Sequence, residues 1–300
     1  MMLDIFADCI RFSDQLNALS SAGAPGGSAF FSGLSNERLL LIDASGARAI
    51  AVLIRSDSGD ILTLDSEREL PTEPPETPAN IGGTLFPAID ALLKDAKTAP
   101  ADLTGIIVNR GPGSWTGLRV GIAAAKTLAL VLNIPVQAYS NLDALALEGA
   151  VQSQTGNPAI ETESAEMRIA ALLDGRSAGL FGAIVRYNKQ TQPVLERVTD
   201  EMSASADEWK DWLTLAQSGA SDSKLLIVTD SAEKAADVIP GDSPVTNWRI
   251  LPAAHASLPA TIVCALSDWK YRPELRLAGS AVHSLAPAYL RAAHFKKIRQ

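Results

Sequence analysis

The chain has 300 residues, 47% of them apolar and 20% charged, an ordinary mixture for a globular protein of about two domains. Acidic residues outnumber basic ones 34 to 26, so the formal charge of -8 argues against a protein that holds nucleic acid by its own field. The longest uncharged stretches, 15–36 and 250–267, are broken by Gly, Pro or His, and no membrane partner is expected. Asp4 and Asp8 stand where a secretory signal would carry basic residues, and Cys9 and Cys264 are too far apart in sequence to suggest a disulfide framework. A reducing cytoplasm is the expected compartment.

Residues 1–36 read as a leader. Met2, Ile5, Phe6, Cys9, Phe12, Leu16 and Leu19 fall near helical spacing, and a Ser/Gly/Pro-rich flexible stretch over 20–35 follows. Such a segment could dock on the body or on a partner, or be dispensable. From Leu39 three short β-rich runs, 39–43, 48–55 and 60–65, alternate with Ser-Gly turns and predict an antiparallel start. The Pro- and Glu-rich stretch from Ser66 to Gly83 reads as a solvated loop. A helix over 84–96 carries Leu85, Phe86, Ile89, Leu92 and Leu93 on one face. A buried strand at 105–109, a glycine loop, a helix over about 117–132, a strand at 134–138 and a helix opening at Ser140 or Asn141 follow.

After a polar linker, 151–166, the order recurs. Strands at 167–174, 179–187 and 193–199 precede a helix near 206–217, then a strand at 224–230, a helix at 232–239, a strand at 247–251 and a helix at 255–269. The pattern βββαβαβα thus occurs twice, which predicts an α/β protein of two similar lobes, 37–150 and 167–300, around a cleft.

The segment from Asn109 to Thr127 is the most informative. Gly111 and Gly113 flank Pro112 in a sharp turn, Ser114 or Thr116 can cap the next helix, and Trp115 precedes Gly117, Arg119 and Gly121. A helix start of this kind can hold an anion or a partner's carboxylate. The Gly-x-Gly-x-x-x-Gly spacing is one residue longer than the dinucleotide fingerprint, and Lys126-Thr127 lacks the glycine of a Walker A loop, so a structural turn and a phosphate site both stay open. The helix reads as apolar nearly all round, which predicts burial on every side. Its small-residue face, Gly117, Gly121, Ala124 and Ala125, suits close approach by the 84–96 helix or by a second protein.

The duplicated plan is that of the actin, Hsp70 and sugar kinase superfamily (ASKHA, ribonuclease H-like). The Gly-Pro-Gly-Ser-aromatic-Thr-Gly-x-Arg-x-Gly segment, together with Leu39–Ser45, Leu172–Arg176, 251–266 and Ala286–Arg291, is similar to the TsaB (YeaZ) family in its glycoprotease-related branch. Departures are Ile81–Thr84 in place of a His-containing helix start, Trp115 in place of Phe, a degenerate Asp-Ala-Arg strand turn after Leu173, and the leader itself.

The resemblance implies a non-catalytic accessory subunit of bacterial threonylcarbamoyladenosine tRNA modification. It would bind and activate a TsaD-like catalytic subunit that acts on adenosine 37 of tRNAs reading ANN codons, with a TsaE-like ATPase and tRNA reached only through the complex. ATP and metal would belong to the partner, and the free chain could homodimerise. Residues 111–117, Arg119, Gly121, Leu85 and Ile89 are the expected partner interface, and Gly121→Leu is expected to weaken assembly more than folding. Asp43, Ser45 and Asp174 stand where superfamily kinases hold phosphate and metal and read as relics of a nucleotide site. No metal site is expected, because His255, His283 and His294 are never four apart. No catalytic set emerges either, which leaves an ATP-dependent phosphotransferase or ATPase as the alternative and a metallopeptidase as the weakest reading. The basic tail, Arg291, Lys296, Lys297 and Arg299, could touch tRNA or simply be solvated.

Overall fold

The computed structural model describes residues 34–288 and 290, apart from 35, 47–48, 58–60, 70–80, 155–165, 176–178, 189, 192, 219–224, 239–248, 253–255 and 257. The leader helix, most of the linker, His255 and the basic tail lie outside the described residues.

The first lobe runs β1 (Arg38–Asp43), β2 (Ile50–Asp57), β3 (Ile61–Glu69), α1 (Ile81–Asp95), β4 (Gly105–Asn109), α2 (Trp115–Leu132), β5 (Val136–Tyr139) and α3 (Asn141–Gln154). The second runs β6 (Glu166–Asp174), β7 (Leu180–Asn188), β8 (Leu195–Arg197), β9 (Met202–Ala204), α4 (Ala206–Ser218), β10 (Leu225–Thr229), α5 (Ala232–Asp237), β11 (Arg249–Pro252) and α6 (Leu258–Tyr271). The sheets have equivalent strand orders, β3-β2-β1-β4-β5 and β8-β7-β6-β10-β11. In each, the first strand pairs antiparallel with the second and parallel with the fourth, and the fourth pairs parallel with the fifth. The duplication read from the order of elements is therefore present in the sheet topology.

Some boundaries differ from expectation. β3 continues to Glu69, inside the stretch read as loop: past a one-residue register shift between Val52 and Ile54 it goes on pairing with β2 as far as Ile50 with Glu69. The helix expected to end before Val151 runs to Gln154: Val151 is buried, and Ser153 Oγ donates to the Ala150 carbonyl at 2.7 Å. In the second lobe the third-strand position is shared. β8 pairs with the end of β7 and the unexpected β9 with its start, so the single strand read over 193–199 shrinks to three residues.

Strand β1 shows why the sheet carries helices on both faces. Its Leu39, Leu40, Leu41 and Ile42 are all fully buried, the continuous apolar run of a strand covered on each side. Leu40 and Ile42 pack with α1 and α2 in an outer core, and Leu39 and Leu41 face an inner core shared with the second sheet. The outer face of the second sheet packs around Trp209 and Leu213 of α4 and Ala235 of α5. The result is five layers, helix, sheet, helix, sheet, helix.

The middle layer is crossed. Helix α3, the last of the first lobe, lies on β6, β7 and β10 of the second sheet. A Cβ on its Gly149 would sit 2.1 Å from Val228, so only glycine permits the approach. Helix α6, the last of the second lobe, lies against β5. Its Trp269 ring covers Gly105 of β4, where a Cβ would come within 2.1 Å. The cleft expected between the lobes is filled at this level by helices. Beyond α6 the chain returns to the first lobe: Leu277 pairs with Val136, Val282 and Leu285 enter the outer core, and Lys126 Nζ donates to the His283 carbonyl at 2.9 Å.

Candidate functional site

Adjacent parallel strands deliver their last residues, Asp43 of β1, Asn109 of β4 and Tyr139 of β5, to one end of the first sheet. The chain leaving β4 turns at Gly111, whose φ of +103° lies in the region glycine tolerates, and the following bond to Pro112 is cis. Asn109 Oδ1 accepts from Gly111 N at 2.7 Å, and Asn141 closes the loop by donating N–H to the Gly111 carbonyl at 3.0 Å and Nδ2 to the Pro112 carbonyl at 3.2 Å. Ser114 is the N-cap of α2, its Oγ accepting from Gly117 N at 3.3 Å. The capping Ser114 N–H itself donates to the Ser45 carbonyl at 2.7 Å. A Cβ on Gly113 would lie 2.5 Å from that carbonyl oxygen, and one on Gly117 only 1.9 Å from the Ala44 carbonyl oxygen. The loop after β1 is thus pressed against the first turn of α2.

The Asp43 carboxylate is saturated by its own chain. Oδ1 accepts from Ser45 N at 2.8 Å and Ser45 Oγ at 2.7 Å, and Oδ2 from Asn109 Nδ2 at 2.9 Å and Tyr139 Oη at 2.7 Å. Burial, reinforced by the neighbouring Asp43 charge, pushes the Tyr139 phenol well above its ordinary range, so it stays protonated and donates. Asp174 sits in the second sheet, paired with Lys234 of α5, while its N–H donates to Asp230 Oδ1 at 2.8 Å. Asp43, Ser45 and the glycine loop therefore come together, whereas Asp174 makes its contacts in its own lobe. Tyr139 and Asn141 were missed by sequence reading. The usable signal was a polar side chain at or just past the end of each apolar strand.

A second polar cluster, also missed, joins the lobes beside the glycine loop. Arg197 Nη2 reaches Asp143 Oδ2 at 2.8 Å and Glu201 Oε1 at 2.7 Å, and Arg110 Nη2 reaches Glu201 Oε2 at 2.9 Å. Ser140 Oγ also donates to Glu201. Arg272 holds Asp268 at 3.1 Å and donates to the Leu195 carbonyl at 2.8 Å. Asp143 Oδ1 and Ser267 Oγ line a small cavity here without a hydrogen-bond partner among the described residues. Burial raises the Asp143 carboxyl against the opposing pull of Arg197.

Burial likewise pushes Asp268 up to about 6, against Arg272. Because the folded state favours protonated Asp268, its contribution to stability is complete below the ordinary carboxylate range, near pH 4, and is lost as pH rises through about 6. Urea titrations between pH 4 and 7 should show that loss, of the order of 3 kcal/mol from the size of the shift. Asp268→Asn should remove this part of the slope.

The expected partner interface divides on inspection. Leu85 and Ile89 are buried in the outer core of their own lobe, and Gly117 and Gly121 face Ala44, Ile42 and Val108 of the sheet rather than a helix. These residues shape the lobe and cannot meet a partner; a leucine at 121 would break the packing on the sheet before it affected assembly. Nor is α2 buried all round. Trp115, Thr116, Arg119, Ala123, Thr127, Leu130 and Val131 are exposed, with Val131 at 76%. Trp115 lies under the Arg119 guanidinium at 5.5 Å, and Phe86 of α1 is exposed too. The helices enclosed on all sides are instead α3, buried from Leu142 to Val151, and α6, buried from Ala260 to Trp269. Among the described residues α2 is also the one helix long and apolar enough to cross a membrane; here one side of it packs on the sheet.

The sequence model of the family described as TsaD, tRNA N6-adenosine threonylcarbamoyltransferase, matches residues 74–227, just over half of the chain. The chain belongs to this family. Its place is in the TsaB (YeaZ) branch. It is 33% identical over 128 residues to the TsaB of Bacillus subtilis, covering 43% of this chain and 49% of that protein. To the TsaB of Escherichia coli it is 28% identical over 134 residues, 42% and 53% of the two chains. The chain therefore spans about half the length of the curated TsaB proteins it matches. YeaZ from Pseudomonas aeruginosa superposes with a TM-score of 0.58 over 85% of this chain and all of that one, at 20% identity. That likeness makes the fold the actin-like α/β fold of YeaZ.

Proposed function

We propose that this chain is a cytoplasmic, catalytically silent subunit that binds a TsaD-type threonylcarbamoyltransferase and supports its modification of adenosine 37 in tRNA. The relatives named TsaB, tRNA threonylcarbamoyladenosine biosynthesis proteins, point to that pathway. The observation that carries the silent role is the Asp43 carboxylate, which spends its lone pairs on Ser45, Asn109 and Tyr139. The residues do not fit a nucleotide phosphate or its metal: an Asp43 ligand would have to give up these charge-assisted bonds, and the Ser45 carbonyl already takes the Ser114 N–H at the helix start. An ATP-dependent phosphotransferase, the alternative, would need that network dismantled. ATP and metal then belong to the partner, and tRNA and a TsaE-type ATPase are reached through it. A solvent-facing apolar helix also favours a protein partner, or a second copy when the chain is alone.

Co-expression with a TsaD-type protein should give a stable heterocomplex, and restoration of the modified adenosine in cells depleted of their own TsaB would complete the case. A failure to associate would overturn it. Leu130 and Val131 are exposed, so glutamate at both positions should cut co-purification at least tenfold while the melting temperature stays within a few degrees of the parent.

A further inference from the structure

The polar cluster that joins the lobes surrounds a pocket that its ion pairs do not account for. Asp143 of α3 and Ser267 of α6 stand on the two helices that cross between the lobes, and those helices pack against each other. Both residues line the pocket, together with Arg197, Cys264, Asp268 and Arg272. It leaves about 10 Å³ to a water-sized sphere, the room of a single water molecule.

Asp143 is 7% exposed and Ser267 5%, so neither can satisfy itself in bulk solvent. Asp143 Oδ2 is committed to Arg197 Nη2 at 2.8 Å, while Oδ1 has no hydrogen-bond partner among the described residues. Ser267 lies inside α6, where a hydroxyl commonly bonds back to the carbonyl one turn earlier. Its Oγ makes no such bond and has no other partner among the described residues. Native interiors pair nearly all such atoms, because a buried carboxylate oxygen without a donor gives up its hydration for nothing.

The surroundings decide what chemistry the pocket accepts. Asp143, Asp268 and Glu201 are matched by Arg197, Arg272 and Arg110, three carboxylates against three guanidiniums. A cation in the pocket would meet Arg197 and Arg272 at its wall, and an anion would meet Asp143 and Asp268. A neutral occupant meets neither repulsion. It must donate to Asp143 Oδ1, which as a carboxylate oxygen only accepts, and it can either donate to or accept from the Ser267 hydroxyl. With room for about one heavy atom, water is the molecule that meets all of these conditions.

We propose that this pocket is the site of one internal water, which donates to Asp143 Oδ1, bonds to Ser267 Oγ and so joins α3 of the first lobe to α6 of the second. Arg197 and Arg272 tie the two helices to β8, through Asp143 and through the Leu195 carbonyl. The water adds a polar link between the helices themselves.

A crystal structure of the full chain that orders its internal solvent tests this directly. One peak within about 3.2 Å of both Asp143 Oδ1 and Ser267 Oγ is expected. An empty pocket would overturn the proposal. So would a direct hydrogen bond between Asp143 and Ser267, a peak that reaches only one of them, or a peak with the ligand number and distances of a metal ion. In solution, magnetic relaxation dispersion of the water nuclei should count one long-lived water fewer in Ser267→Val, which replaces the hydroxyl by two methyls, than in the parent. Thr214→Val, an exposed control on α4, should leave the count unchanged. Equal counts in the parent and Ser267→Val would overturn the proposal, and if Ser267→Val fails to fold the crystal structure of the parent decides alone.

Discussion

Gly117→Ala should destabilise the protein by about 3 kcal/mol, because the added methyl has no direction in which to relax. Its carbon would lie 1.9 Å from the Ala44 carbonyl oxygen, a backbone atom fixed by β1 on one side and by the Ser45 to Ser114 hydrogen bond on the other. Either the loop after β1 withdraws, breaking the Asp43 network, or α2 tilts away from the sheet. Gly121→Ala is the internal control. There the nearest atom is the Ala44 methyl at 3.3 Å, and the helix gains propensity from the loss of a glycine, so the net change should stay within about 1 kcal/mol. Urea unfolding of both variants reads the difference. Equal stabilities would mean that the loop and helix are not in the contact described. If α2 tilts, co-purification with the TsaD-type partner should fall as well, since Trp115, Leu130 and Val131 move with it.

Arg197→Met should be comparably damaging, with a loss of about 3 kcal/mol or more at neutral pH. The guanidinium is the shared partner of Asp143 and Glu201, whose side chains are only 9% and 5% exposed. Methionine fills similar volume but leaves Asp143 without its ion-pair partner and Glu201 with Arg110 as its one remaining cation, beside the Ser140 hydroxyl. The sign with pH is fixed by Asp143. Asp143 is already raised by burial, and losing Arg197 raises it further, so this stranded carboxyl takes up a proton as the solution is acidified. The deficit relative to the parent should therefore shrink between pH 7.5 and pH 5. Adding Glu201→Gln should recover part of it at neutral pH. A deficit independent of pH would show that packing, not charge, is lost.

The two-lobed plan was legible because it is written in periodicity: apolar runs such as Leu39–Ile42 and Ile106–Val108 mark buried strands, and the order of elements repeats. The glycine loop was legible for the same local reason, a strand end, a sharp turn and a Ser cap in succession. What a helical stripe cannot reveal is the identity of its neighbour. Helical spacing offers Leu85 and Ile89 to a partner, whereas they fill the core of their own lobe, and it presents α2 as enclosed when that description fits α3 and α6. Short pieces escape as well, since Met202–Ala204 has too few residues for a pattern. The bonds of Glu201 to Ser140 and of Arg197 to Asp143 bridge separations of 61 and 54 residues, and nothing local to any of these side chains announces its partner.

The crossed middle layer makes the two halves obligate to one another. Helix α3 is the cover of the second sheet although it is encoded with the first, and α6 brings Trp269 to the first sheet from the far end of the chain. A half cut from its neighbour would keep its strand order yet present an open inner face, with Leu39 and Leu41 on one side or Ile169 and Ala171 on the other turned to water. Swinging one lobe away from the other would here require peeling a helix from each sheet. The two repeats are thereby tied together by a helix exchanged in each direction, an arrangement suited to presenting one face steadily rather than to opening and closing.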